Sequence, residues 1–186
     1  MKGNLFVVSG PSGVGKGTIC EKVRDNDGNI FISISVTTRE VRDNDIPGVT
    51  YNFISDEEFD RMIENNEFYE WAKVHSGRYG TPRKIVEEKR AQGIDVILEI
   101  DVQGGMIIKE QSPEAVMVFV APPSMEILEQ RLRDRHTETE EEIRERLKNA
   151  VKEIEYEDRY EHIIVNDNLD EAVRELHDLI LNERNS

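Results

Sequence analysis

The sequence predicts an α/β fold, a doubly wound parallel sheet with helices on both faces. Three observations carry that expectation. Residues 5–18 read strand, glycine-rich turn, helix. Residues 94–100 and 116–120 are dense apolar runs, of the kind buried on both faces in a parallel sheet. Between and after them, apolar residues recur at helical spacing behind Ser or Thr caps.

In chain order, the first strand is 5–8, Leu-Phe-Val-Val, and a helix to about Arg24 follows the turn. Gly10, Gly15 and Lys16 have the G-x-x-x-x-G-K spacing of a P-loop. Glycines let successive backbone N–H groups converge on an anion with no Cβ in the way. The helix start adds the positive end of its dipole, and Lys16 supplies a mobile cation. A triphosphate site over Gly10, Pro11, Ser12, Gly13, Val14, Gly15, Lys16, Gly17 and Thr18 is therefore expected; the bland alternative is a strand–turn–helix with no ligand. The position after the lysine, where Ser or Thr would hold Mg²⁺, is Gly17. The metal is then held mainly by phosphates and water.

Residues 25–29 read as a turn. Ile30, Ile32, Ile34 and Val36 alternate with other residues, predicting one strand with one buried face. Residues 37–54 read as a polar loop. Ser55 with Glu58 is a capping-box pattern, opening a helix striped by Phe59, Met62 and Ile63. A β-like segment at 68–74 leads to a Ser-Gly-Arg-Tyr-Gly turn, and Thr81-Pro82 reads as N-cap and N1 of a helix to about Ala91. The strand at 94–100 leads to Asp101. After the strand at 116–120, Ser124 caps a helix reaching about Arg135, and Thr139 with Glu142 opens another to about Tyr156. A short strand at 163–165 and a helix from Leu169 to about Asn182 complete the chain.

The 186 residues fit one domain with or without inserted subregions, and suffice for a real core. A net charge of −15 argues against a broad nucleic-acid face and against an anionic membrane surface, but not against a small anion held by local arginines. No apolar run approaches the ~20 residues that span a bilayer, and no signal-peptide pattern opens the chain. The single cysteine, Cys20, falls on the helix after the P-loop, as a buried structural thiol rather than a nucleophile. A cytoplasmic protein is expected.

Ligands in such sheets collect at the carboxyl ends of the strands. That rule brings the P-loop, the segment after Val36, and Glu99 with Asp101 together. Arg39 and Arg42, beside Tyr51, suit a second phosphate, because guanidinium forks match phosphate oxygens; the alternative is two solvated arginines. Glu99 and Asp101 end a buried strand and should face a ligand donor, Mg²⁺ or an arginine; a structural salt bridge is the alternative. Arg131 and Arg135 share a helix face, and Arg146 follows on the next helix. They suit a positive lid over a migrating phosphoryl group, unless Glu129, Asp134, Glu140, Glu141, Glu142 and Glu145 simply pair with them.

Several stretches together resemble the guanylate kinase family of P-loop nucleoside monophosphate kinases. They are Ser9-Gly-Pro-Ser-Gly-Val-Gly-Lys-Gly-Thr18, Ser35-Val-Thr-Thr-Arg-Glu-Val-Arg42 with Gly48 and Tyr51-Asn-Phe53, Glu67-Phe-Tyr-Glu-Trp-Ala72, Tyr79-Gly-Thr81, Glu99-Ile-Asp-Val-Gln-Gly104, Ala121-Pro-Pro-Ser124, Thr137-Glu-Thr139 and Ile164-Val-Asn-Asp167. The resemblance implies transfer from ATP to GMP with Mg²⁺, on a P-loop NTPase-type parallel β-sheet core flanked by helices. It implies one domain over 1–186, with the core at about 1–35, 91–123 and 154–186, a GMP-binding region at about 36–90 and a helical lid at about 124–153. Arg39, Arg42, Tyr51 and Tyr79 would hold the GMP phosphate. Ser35, Glu70 and Thr81 would read guanine, with Glu70 accepting from its N1–H and amino group. Glu99 and Asp101 would lie near GMP and the metal, and Asp45 in the GMP region. Lys16, Arg39, Arg131, Arg135 and Arg146 would supply catalytic charge, and Thr18 and Glu99 are the candidate protein ligands of Mg²⁺. ATP and GMP would be the partners, with no nucleic acid and no membrane, in a monomer or homodimer.

The chain departs from the family pattern at three positions. Gly17 stands where many relatives have Ser, Asp45 where Glu is usual, and His136 where a glycine is common. Two other readings compete. Non-catalytic guanylate kinase-like modules bind peptides, but typically lack the P-loop lysine that is present here. A kinase for another nucleoside monophosphate would share the Gly-Lys-Gly-Thr loop but not Ser35 to Arg42 and Glu70.

Overall fold

The computed structural model describes residues 1–42, 45–74, 77–134 and 139–186. Its strands are β1 (Leu5–Ser9), β2 (Ile30–Ile32), β3 (Val36–Thr37), β4 (Asn52–Phe53), β5 (Phe68–Val74), β6 (Gly77–Pro82), β7 (Asp95–Glu99), β8 (Val116–Ala121) and β9 (His162–Val165). Its helices are α1 (Lys16–Asn26), α2 (Asp56–Glu64), α3 (Arg83–Ala91), α4 (Val102–Gln111), α5 (Met125–Asp134), α6 (Glu140–Ile154) and α7 (Leu169–Arg184).

The central sheet has the order β2-β7-β1-β8-β9, every pair parallel. β1 lies in the middle, which is why its apolar run is unbroken: Leu5, Phe6, Val7 and Val8 are all fully buried. Alternate residues serve opposite faces. Phe6 and Val8 pack with Ile19 and Val23 of α1, Leu128 and Leu132 of α5, Ile143 of α6 and Leu176 of α7. Leu5 and Val7 pack with Val86 of α3, Val102 and Ile108 of α4, and Tyr160. Burying each such side chain contributes about 1.5–3 kcal/mol. Cys20 lies in the first of these clusters, fully buried, and burial pushes its thiol well above the ordinary range. A buried thiol kept protonated is a poor nucleophile, in keeping with a structural role.

A second sheet, β4-β3-β6-β5, stands beside the first. Val36, Phe59, Met62 and Phe68 form its small core under α2. Three expectations change here. The run 30–36 is two strands in two sheets. β2 pairs with β7, and after Ser33 N–H donates to Ile97 O at 3.0 Å the chain crosses over, so that β3 pairs with β6 and β4. The stretch read as a loop at 37–54 contains β4 and a bridge between Pro47 and Tyr51. The turn expected at Ser-Gly-Arg-Tyr-Gly is strand β6 from Gly77 on, antiparallel to β5; Ser76 lies outside the described residues. In consequence Thr81 belongs to a strand, and Pro82, without a side-chain bond, caps α3.

The caps follow the sequence closely. Ser124 Oγ accepts from Ile127 N–H at 3.2 Å, and Thr139 with Glu142 forms a complete capping box at α6. Ser55 accepts from Glu58 N–H at 3.1 Å, but the Glu58 carboxylate turns to Arg61, so that box is half made. α4 has no counterpart in the sequence reading. It begins at Asp101, whose carboxylate accepts from Gly104 N–H at 2.9 Å, and it carries two buried glycines.

Candidate active site

The P-loop joins β1 to α1. Gly15 caps α1 with φ 98°, a left-handed conformation that glycine adopts without strain. Gly10 passes so near β8 that a Cβ would stand 2.2 Å from Val120 O. Lys16 Nζ lies back over the loop, donating to Gly10 O at 2.6 Å and to Pro11 O at 3.2 Å. Just after β9, the buried Asn166 donates to Val14 O at 2.8 Å and fixes the loop's crest. From α6, Arg146 donates to Ser12 Oγ at 2.9 Å, while Ser12 N–H donates to the Glu153 carboxylate. α6 thus grips the loop at one residue, through side chains seven positions apart.

The loop opens into a cavity of about 400 Å³ at the carboxyl ends of β1 and β7. Its walls include Gly10, Ser12, Gly13, Gly15, Lys16, Gly17 and Thr18 at one end, and Ser35, Tyr51, Glu70 and Tyr79 at the other. Glu99 and Asp101 lie between, with Glu153 and the apolar Ala72, Val74 and Ile100. The phosphate loop, Tyr51 from the segment after Val36, and Glu99 with Asp101 thus line one cleft, as the strand-end rule expects. Pro11 and Val14 belong to the loop but do not line the cavity.

Glu70 is the most unusual group in it. The residue is only 6% exposed, and Thr81 Oγ1 donates to its Oε1 at 2.7 Å. Burial raises its carboxyl pKa to about 7; the Thr81 hydroxyl opposes that shift and the Asp101 charge adds to it. Thr81 is fully buried behind Glu70 and lines no part of the cavity.

Arg39 and Asp45 form a nearly buried pair, with side chains 7% and 9% exposed. Arg39 Nη1 donates to Asp45 Oδ2 at 2.8 Å and Nη2 to Oδ1 at 3.1 Å, a two-pronged fork. Its Nε donates to Tyr79 Oη at 3.1 Å, and its guanidinium lies 5.3 Å from the Tyr51 ring centre. Neither arginine lines the cavity; the Arg39 side chain is buried in its pair with Asp45 rather than solvated, while Arg42 is exposed, its N–H donating to Asp45 Oδ2 at 2.7 Å. The Arg39 hydrogen bonds hold Asp45 below the usual carboxylate range, and burial pushes the Tyr51 phenol up to about 12.

Among the glutamates offered as partners for Arg131, Arg135 and Arg146, Glu142 bonds to Thr139 and also feels the Arg146 charge. Glu129 and Glu140 pair with Arg133 instead. Arg131 Nη2 donates weakly to Asp167 O, at 3.5 Å, and its Nη1 is buried with no hydrogen-bond partner among the described residues. Arg135 and His136 lie outside the described residues.

Glu99 opens onto the cavity and is accessible there, yet the surrounding protein raises its carboxyl pKa, Lys16 opposing and Glu21 adding. A Cβ on Gly17 would stand 3.4 Å from Glu99 Oε2, so the missing Ser leaves space in front of that carboxylate. Glu99 and Thr18 both line the cavity and both carry hard oxygen donors, a chemistry that fits Mg²⁺. Among the described residues no three His, Cys, Asp or Glu side chains gather into a metal cluster.

Sequence reasoning missed Glu153 and Asn166. Asn166 lay within a recognised stretch with no role attached. Glu153 had a usable signal, being two helical turns from Arg146 on one face.

A model of the guanylate kinase family matches residues 2–183. A guanylate kinase of Carboxydothermus hydrogenoformans is 51% identical over 183 residues, covering 98% of this chain and 90% of that protein. One from Caldanaerobacter subterraneus subsp. tengcongensis is 46% identical, covering 98% and 89%. The crystal structure of guanylate kinase from Anaplasma phagocytophilum superposes with a TM-score of 0.82 at 34% identity, covering 98% of this chain and 86% of that one. On sequence and fold alike, this chain belongs to the guanylate kinase family.

Proposed function

We propose that this chain transfers the γ-phosphoryl group of ATP to GMP, and to dGMP, in one in-line step, with the roles assigned below. The observation that carries the reading is a single cleft with a phosphate loop at one end and a buried carboxylate at the other. The loop amides and Lys16 take the ATP phosphates. Glu70 accepts from guanine N1–H and the 2-amino group, backed by Ser35 and Thr81. Adenine offers no such donor pair at that edge, and unpaired buried acceptors reject a wrong base strongly.

Arg39, Arg42, Tyr51 and Tyr79 hold the GMP phosphate. Arg39 is already aimed by Asp45 and Tyr79, so little order is lost when the phosphate arrives. Glu99 and Thr18 are the protein groups that would hold Mg²⁺, together with phosphates and water. Bound there, the ion neutralises charge on the transferring group. Arg131, Arg135 and Arg146 complete the positive surround. No side chain serves as nucleophile; positioning and electrostatics lower the barrier.

The region 36–90 and the lid 124–153 close over both nucleotides and exclude water. No described helix is long and apolar enough to cross a membrane. A cytoplasmic enzyme of purine nucleotide recycling, monomeric or dimeric, is the setting that suits this reaction. The test is ADP release from ATP and Mg²⁺ with GMP, dGMP, AMP, CMP and UMP offered singly. Turnover confined to GMP and dGMP is expected. Turnover with AMP or UMP would discard the role given to Glu70.

A further inference from the structure

The Glu70 carboxylate is confined from two sides. Thr81 Oγ1 donates to Oε1 at 2.7 Å. Against the other oxygen lies the first turn of α4. A Cβ on Gly104 would stand 2.8 Å from Glu70 Oε2 and 3.3 Å from Asp101 Oδ1. Gly104 is helical and buried, and it does not have a positive φ. No backbone conformation demands glycine at that position, and within a helix glycine is a poor choice. Space is the remaining reason. The next residue makes the contrast: a Cβ on Gly105 would meet Tyr160 Oη at 2.4 Å and Ser9 Oγ at 3.1 Å, on the side of the core. Two adjacent glycines thus clear two different neighbours, and only Gly104 clears a group in the cleft.

We infer that Gly104 is a specificity-determining positioning residue, whose missing side chain forms the seat that holds the Glu70 carboxylate at the guanine edge. The inference rests on the reading of Glu70 as the guanine acceptor. A methyl at Gly104 would meet the far end of a flexible side chain, not backbone. Glu70 can swing away from it, so the fold survives while the carboxylate leaves its place. A base-reading group tolerates little displacement, because hydrogen bonds weaken steeply with distance and angle.

The test uses the full chain. Gly104→Ala is measured with GMP and with inosine monophosphate, which lacks the 2-amino donor, and then for its ATP KM at saturating GMP. The GMP KM should rise about tenfold or more, the preference for GMP over inosine monophosphate should shrink, and the ATP KM should stay within about twofold. The melting temperature should not fall. Glu70→Asp draws the carboxylate back by one methylene, so the double variant should lose less than the two single losses together.

A purely structural role predicts otherwise: a lower melting temperature, equal loss for both nucleotides and additive effects. Any of these overturns the inference, as does an unchanged GMP KM or a Gly104→Ala chain that does not fold. Glu70→Gln separates the two claims. If it leaves GMP unaffected, the guanine reading fails and the inference with it. If it weakens GMP while Gly104→Ala does not, only the inference fails.

Discussion

Replacing Glu70 with glutamine should stabilise the free protein above neutral pH while disabling it. Burial raises the Glu70 carboxyl from an ordinary 4.5 to about 7. Between those two values the folded chain holds a proton that the unfolded chain has released. The free energy of unfolding therefore falls as pH rises through that window. Below it there is no penalty; above it the full penalty is present. The shift amounts to about 3 kcal/mol at pH 8. Glutamine keeps an oxygen for the Thr81 hydroxyl and removes the titration. Urea unfolding of both proteins at pH 4.5 and pH 8 measures the effect. The advantage of Glu70→Gln should grow by up to about 3 kcal/mol between the two. The same substitution turns an amide N–H₂ toward the guanine donors. Since hydrogen bonds to a charged group contribute about 1.5–3 kcal/mol each, kcat/KM for GMP should drop about a hundredfold. Wild-type GMP affinity should rise with pH up to about 7, beyond the titration of the GMP phosphate itself, which Glu70→Gln retains as the control. Parallel pH profiles of stability in the two proteins would refute the reasoning.

Two other substitutions probe the remaining contacts. Asp45→Ala removes the carboxylate partner of Arg39, which keeps its bonds to Tyr79 Oη and Glu40 O, and should cost the free protein about 1–3 kcal/mol. GMP should then raise the melting temperature of the variant more than that of the wild type, because the phosphate takes the vacated fork. In the wild type, Asp45 is held below the usual range, so its stabilisation is lost only as pH falls through that lowered pKa. Asn166→Ala leaves Val14 O without its donor and frees the crest of the P-loop. It should cost about 1–3 kcal/mol and raise the ATP KM while leaving the GMP KM alone; steady-state kinetics in each substrate checks the split.

What was legible in the sequence was local. The P-loop showed itself because its geometry is set within ten residues, and the α6 cap because Thr139 and Glu142 bond to each other. β7 and β8 were legible because burial on both faces leaves no polar alternation. The run 30–36 misled because a period of two continues unchanged while the chain changes sheets; what divides it is a choice of partners, β7 for one half and β6 for the other. The other failures share a cause. β6 reads as a turn and no helix is expected over α4; both stretches carry glycines, which in a local reading mark bends. At these positions they answer distant neighbours. A Cβ at Gly77 would meet Arg39 Cβ at 2.9 Å, one at Gly80 the Phe68 ring at 2.5 Å, and one at Gly104 the Glu70 carboxylate at 2.8 Å. Two of those three neighbours, Arg39 and Glu70, are the groups assigned to the two ends of GMP. Local preference and global structure conflict most where function has imposed its own requirement. A glycine inside a strand or helix that no backbone angle explains is thus a pointer, in this fold, to the side chain it makes room for.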